Sequence, residues 1–284
     1  MSLVDVARKD LTNLSRSRAL WAMAAVVTLL VATYAYLNEG YRQPPSEVVG
    51  RLFATLVLVV AVVLPLVALV VSYRAVSGER EGGGLALLLG LPNTRRDVYL
   101  GKLGSRLLLV AAGLALAFAA TASVVRARHG VLPVGTVFGL YAVSLAYAAV
   151  FVGLAVALSA TIATRGRAIA AGVGAYLVLV MLFAVPVVRV SAIVRWVDEG
   201  LLGLAPHPYL YDAVSYASPY TAVRKAANLV LPAAQRATVF PRPPGGAGHL
   251  PLYLGDWFSL VVFAVWLVVP LALGLWRFQR IDLE

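Results

Sequence analysis

The chain has 284 residues, of which 61% are apolar and 13% charged, with a net charge of +11 and no cysteine. Soluble domains run nearer half apolar and about a quarter charged, so this composition belongs to a bilayer protein. Disulfides, thiolate metal sites and cysteine nucleophiles are excluded, and the bases flank apolar runs instead of lining one polar face, which argues against nucleic acid as a partner.

At the N-terminus Arg8, Lys9, Arg16 and Arg18 precede an apolar run from Leu20 to Leu37. That run is longer than the apolar core of a signal peptide and no small-x-small cleavage site follows, so it reads as a retained first span. The second, Leu52–Ser72, contains Pro65, which should kink it. Leu103–Val125 is the third. Val134–Thr164 is the fourth and exceeds a single crossing, so its ends belong in the interface or the helix tilts. Ala168–Val188 follows, and Trp257–Trp276 closes the set with an aromatic at each edge.

With the N-terminus placed in the cytoplasm, fourteen bases fall inside: Arg8, Lys9, Arg16, Arg18, Arg74, Arg80, Arg95, Arg96, Lys102, Arg106, Arg165, Arg167, Arg277 and Arg280. The two short outer loops hold four, namely Arg42, Arg51, Arg126 and Arg128. This asymmetry puts both termini in the cytoplasm. The expectation is an all-α integral membrane protein, residues 1–284 forming one polytopic domain of six spans in the cytoplasmic membrane.

No ionisable side chain lies deep in any of the six runs; Arg106 comes nearest and is expected to snorkel with Lys102 to the headgroups. That counts against a proton- or sodium-coupled carrier and against an intramembrane protease. The in-span hydroxyls, Thr121, Ser123, Tyr141, Ser144, Tyr147, Ser159, Thr161 and Tyr176, read as helix–helix hydrogen bonds or as the lining of a path. Gly135–Gly139 and Gly153–Ala157 have the spacing of close helix contacts, a weak signal in a chain this rich in small residues. His129, His207 and His249 are far apart on the expected outer side, and no metal site is read there. A phosphate loop would need G-x-x-x-x-G-K-[ST]; Gly101–Lys102 has Arg96 in place of the first glycine and Leu103 in place of the hydroxyl residue. The chain therefore carries no nucleotide or other cofactor site, and energy for any uphill movement must come from another subunit.

Between the second and third runs stands SGEREGGGLALLLGLPNTRRDVYLGK, residues 77–102. Glu79 and Glu81 flank Arg80; Gly82–Gly84 allow a sharp turn; five leucines between Leu85 and Leu91 form an apolar element too short to span; Pro92–Asn93 ends it. Thr94-Arg95-Arg96-Asp97 fits a capping box that starts the third span. A loop that only set topology would need bases alone. Acids, hinge and leucines together fit a docking elbow for a soluble partner.

These residues resemble the coupling region of ABC transporter permeases of the type-two export class. The resemblance runs through Glu79, Arg80, Glu81, Gly83, Leu85, Leu88, Leu89, Leu91, Pro92, Arg95, Arg96, Leu100, Gly101 and Lys102, with Gly84 where the family usually has Thr. The element S-P-Y-T-A-V at 218–223 is similar to one the family often carries between spans five and six, with Ser218 in place of Asn. The resemblance implies two permease copies, identical or not, assembled with two ATP-binding subunits that hold the ATP. It implies that Glu79, Arg80, Glu81, Gly83, Pro92, Arg95, Arg96, Asp97 and Lys102 couple to the ATPase. It also implies that Val4–Leu14, with Val4, Leu11 and Leu14 on one face, lies along the membrane surface. Permeases of copper-enzyme maturation look similar within the class, yet only Met23 and Met181 fall in spans and no soft-metal path is visible. An exporter subunit is the leading reading, and a non-transporting scaffold that recruits an ATPase is the alternative.

In the outer segment 189–256, Val190–Leu204 is semi-apolar, Tyr220–Leu231 reads as a short amphipathic helix ended by Pro232, and 240–248 is turn-rich. The segment fits either a half-membrane helical hairpin that closes an outer gate or a cap on the surface.

Overall fold

The computed structural model describes residues 44–73, 75–78, 94–162, 164–185, 190–240, 252 and 255–280, together with Ala25, Leu29, Thr33 and Tyr36. The expected surface helix Val4–Leu14 and residues 79–93 of the elbow lie outside the described residues. So does the first span apart from those four positions, which are helical and exposed.

Among the described residues the chain is helical and forms no strand. Helix α1 is Pro45–Ser72, α2 is Arg95–His129, α3 is Val134–Thr161 and α4 is Arg165–Tyr176. A π-helical turn, Leu177–Met181, carries α4 on into one further turn, Leu182–Ala184. Short helices follow: α5 Val190–Arg195 with a second π-helical turn Trp196–Leu201, α6 Pro208–Tyr216, α7 Pro219–Asn228 and α8 Ala233–Val239. Helix α9, Phe258–Arg280, completes the set. Five elements among the described residues are long and apolar enough to cross a bilayer: α1, α2, α3, the run Gly166–Ala184 and α9. They match the second to sixth spans read from the sequence. Helix α1 begins seven residues earlier than expected because Pro45 opens it, a position where proline's missing N–H costs nothing. Helix α2 runs from the Thr94 cap to a left-handed Gly130, whose φ of 69° suits only glycine well.

The contacts show that the long helices alternate in direction. The Arg95 Nη1 donates to the Phe278 carbonyl at 2.8 Å, which puts the start of α2 beside the end of α9. Ser159, near the end of α3, accepts from Val76 N and Ser77 N just past α1, each at 3.0 Å. This end, expected to face the cytoplasm, is called the inner end here and its opposite the outer end. Helix α3 is the centre of the bundle, packed on α9, α2 and α1. Its seam with α9 is tight: a Cβ on Gly274 would lie 2.7 Å from the Ala157 Cβ, and one on Gly153 would lie 3.0 Å from Leu267. The Gly153–Ala157 spacing is therefore a real helix contact. Gly139 meets Val230 of the outer segment, and Gly135 faces open space.

One expectation is corrected. Lys102 and Arg106 do not snorkel outward from the bundle; both are buried, at 3% and 6% exposure, and both are engaged by other groups of the chain. They share a helical face with Val98, Tyr99, Ser105, Leu109 and Val110, which is the face α2 turns to its neighbours. At spacings of three and four, a base on the packed face goes inside with its apolar neighbours.

Candidate functional site

The inner end holds the described part of the elbow. Thr94 caps α2: its hydroxyl accepts from Asp97 N at 3.2 Å and donates to Asp97 Oδ2 at 2.6 Å, while Thr94 N donates to that oxygen at 2.9 Å. The reciprocal capping box read from the sequence is present, so the elbow's exit is tied to the helix start. Of the coupling residues implied by resemblance, Arg95, Arg96, Asp97 and Lys102 are described, whereas Glu79, Arg80, Glu81, Gly83 and Pro92 lie outside the described residues. Arg95 is held by α9, Arg96 is exposed, and Lys102 faces into the bundle. Gly101 and Lys102 sit inside a continuous helix, a geometry that cannot form a loop around a phosphate.

The outer segment is built into the bundle. The α6–α7 turn, Ala217–Ser218–Pro219, is seated by two bonds: Trp266 Nε1 donates to the Ala217 carbonyl at 2.8 Å, and the Ser218 hydroxyl donates to the Leu179 carbonyl at 2.8 Å. Trp266 lies about 12 Å along α9 from Phe258, so the turn reaches well below the outer end. From there α7 climbs beside α3, since Tyr220 lies near Tyr147 at its middle and Val230 lies against Gly139 near its start. Helix α7 is buried along nearly its whole length, against α9, α3 and α1, and α8 packs on α1. This is a re-entrant hairpin within the bundle and not a surface cap. Ser218 also accepts from Tyr220 N and so starts α7, the part a polar residue before Pro219 can play.

The hairpin tip meets irregular backbone on two sides. Pro65 has no N–H, which leaves the Ala61 carbonyl without its helical donor. The Tyr147 hydroxyl supplies one at 2.8 Å, and Tyr176 donates to the next carbonyl, that of Val62, at 3.3 Å. In α4 the carbonyl that Ser218 satisfies belongs to the π-helical turn. Seven of the in-span hydroxyls, all but Ser144, thus divide in two. Thr121, Ser123 and Thr161 bond within their own helix, while Tyr141, Tyr147, Tyr176 and Ser159 bond across to another segment.

At the mouth of the segment Tyr211 donates to Asp198 Oδ2 at 2.5 Å, with His207 Nδ1 3.0 Å from the same oxygen and Glu199 Oε1 3.2 Å from the hydroxyl. These bonds, Tyr211 foremost, hold the Asp198 carboxyl below its ordinary value. The cluster ties the second π-helical turn to α6. No group of His, Asp and Glu among the described residues is arranged to hold a metal ion.

A family model described as "ABC-2 family transporter protein" matches residues 4–283. The chain belongs to the ABC-2 transporter family. It is 30% identical over 188 residues to the "Probable ABC transporter permease protein NosY" of Pseudomonas aeruginosa, a match covering 63% of this chain and 66% of the relative. It is 28% identical over 189 residues to the protein of that name from Stutzerimonas stutzeri, covering 63% of this chain and 67% of the relative. The chain thus spans about two thirds of the length of these permeases. Within the ABC-2 family the alternating helices and re-entrant segment are those of a multi-pass membrane subunit.

Sequence reading missed helix α6, helix α8 and Lys225. Helix α8 had no reading of its own, because Pro232 looked like an ending and instead precedes the helix as its cap. Lys225 passed without remark because it stands outside the six apolar runs, yet it is buried.

Proposed function

We propose that this chain is the membrane-spanning subunit of an ATP-driven exporter in the cytoplasmic membrane, with both termini in the cytoplasm. Two permease copies would join two ATP-binding subunits, and the ATPases would press on the elbow of residues 79–97. The family match over residues 4–283 carries this reading. The geometry supports it: the elbow's exit at Thr94 leads into α2, and Arg95 joins α2 to α9, so a push there reaches two long helices at once. ATP would bind only in the partner, in keeping with the helical Gly101–Lys102.

The test is co-purification. The chain tagged in its native membranes and extracted in mild detergent should bring down an ABC ATP-binding subunit at equal stoichiometry. Glu79→Lys with Glu81→Lys should remove that subunit while the permease stays folded, and undiminished capture by the double variant would sink the coupling assignment. The alternative, a scaffold that recruits an ATPase for envelope or maturation work, is favoured by one observation. Tyr147, Tyr176 and Ser159, three of the hydroxyls offered as a path, are bonded to backbone of other segments. ATP turnover by the complex with no flux of any candidate cargo would select the scaffold.

A further inference from the structure

The outer segment shows its polarity inside out. Ile193, Trp196, Leu201, Leu202, Leu204 and Leu210 stand between 47% and 67% exposed, while Asp198 is 7% exposed and turned inward to Tyr211 and His207. The backbone is satisfied from within as well. Leu202 N donates to the Val197 carbonyl at 2.9 Å, Leu204 N to the Asp198 carbonyl at 3.0 Å and His207 N to the Tyr211 hydroxyl at 3.2 Å. Gly203, at a φ of 61°, takes the left-handed turn between these bonds. Water would favour the reverse, with acids outward and leucines covered. A backbone bonded within its own segment under a rind of leucine is what hydrocarbon requires. We propose that residues 190–210 form an anchor immersed in the outer leaflet, with their apolar ridge among the upper acyl chains.

Depth is set by α6. The hairpin tip at its lower end bonds through Ser218 to Leu179, five residues or about 8 Å short of Ala184, where the span Gly166–Ala184 ends. That span is 19 residues, about 28 Å, long, so Ala184 stands near the edge of the hydrocarbon. Tyr211 precedes Ala217 by six residues, so α6 lifts it about 9 Å above the tip at most, and any tilt of α6 only lowers it. The Asp198–Tyr211 bond therefore lies near or below the level at which the membrane-crossing helix ends. The same span leaves Val173, Leu177 and Val178 exposed to the acyl chains it crosses, so exposed apolar surface accompanies the chain from span into lobe. Trp196 suits the headgroup boundary, and Arg195, exposed beside it, can meet lipid phosphate. A soluble protein arriving from outside would meet headgroups before it met this ridge, so lipid is the occupant that fits. Because α6 joins the lobe to the tip, the lipid also fixes how deep the hairpin sits. This inference rests on the geometry of the bundle and holds whether the complex exports or only recruits.

The chain has no cysteine, so a single introduced thiol reports alone. Leu202→Cys places one on the ridge and Val265→Cys one on the exposed face of α9. Ala127→Cys places a third on the exposed outer end of α2, between Arg126 and Arg128. Each full-length variant would be labelled with the fluorophore NBD and reconstituted in phosphatidylcholine vesicles. Three quenchers would be compared: iodide on both sides, a phosphatidylcholine with a doxyl group near the headgroup, and one with it near the chain end. At Leu202→Cys iodide should quench about fivefold less than at Ala127→Cys, and the shallow doxyl about threefold more than the deep one. Val265→Cys should favour the deep one. Iodide quenching equal to that of Ala127→Cys would put the lobe in water and overturn the proposal. Protection from iodide and from both doxyl lipids would mean that a second copy of this chain covers the ridge, and overturns it too. So does a preference for the deep doxyl equal to that of Val265→Cys. Should Leu202→Cys fail to fold, Leu201→Cys on the same ridge is read by the same outcomes.

Discussion

Replacing Tyr147 by Phe removes a single oxygen from the middle of the bundle. The ring is 0% exposed and packs edge-on against Phe151, so its shape and most of its contacts survive. What is lost is the 2.8 Å bond to the Ala61 carbonyl, which Pro65 has deprived of its helical donor. Side-chain hydrogen bonds in membrane bundles average about 0.6 kcal/mol, with a maximum of about 1.7, because a lost partner is usually replaced. Here the backbone offers no replacement and water is excluded, so the cost belongs at the top of that range, about 1.5 kcal/mol, or about tenfold in the folding equilibrium. Pro65→Ala returns the missing N–H. In that background Tyr147→Phe should cost about 0.5 kcal/mol, leaving a coupling of about 1 kcal/mol in the double-mutant cycle. Equilibrium unfolding of the four proteins in bicelles measures it. Equal costs of Tyr147→Phe in both backgrounds would refute the reasoning, because the phenol would then owe its worth to something other than the proline.

Gly274→Val should cost about 1–3 kcal/mol, since the new Cβ would meet the Ala157 backbone 2.8 Å away, whereas Gly104→Ala, with nothing within 4 Å, should be neutral or slightly stabilising; thermal midpoints in detergent compare them. Asp198 has its folded value held below the ordinary 3.8, so its contribution to stability is complete above that value and disappears as pH falls through the lower folded one. Acid titration of the unfolding midpoint should show this loss, and Tyr211→Phe, which removes the largest cause of the depression, should shrink it.

Much of the fold was legible because the bilayer imposes a simple rule: long uncharged runs become helices. The start of a helix could be read where a local donor and acceptor decide it, as at Thr94–Asp97. Burial was harder to read. Lys102, Arg106 and Lys225 are cations that any transfer scale sends to water, and each is inside because its helix turns that face to a neighbour. Sequence spacing places a residue on a face, but only the packing partner tells whether the face is wet. The re-entrant hairpin was ambiguous for the same reason: an amphipathic helix ten residues long suits a membrane surface and a bundle interior equally, and the choice lies with α1, α3 and α9. The coupling residues were legible only through family resemblance, since acids and glycines in a turn have no periodicity to betray a partner.

Pro65 also divides α1 unequally. The stretch from Pro65 to Ser72 is about 10 Å long and that from Pro45 to Pro65 about 30 Å. A helix that bends at its proline is hinged there, and in α1 the hinge position leaves the long arm at the outer end. A rotation of given angle at Pro65 would sweep the far end of the long arm about three times as far as that of the short one, and α8 sits on the long arm through Gln235 against Gly50. Whatever bends α1 at this one residue would carry the long arm and the outer segment packed on it as one piece.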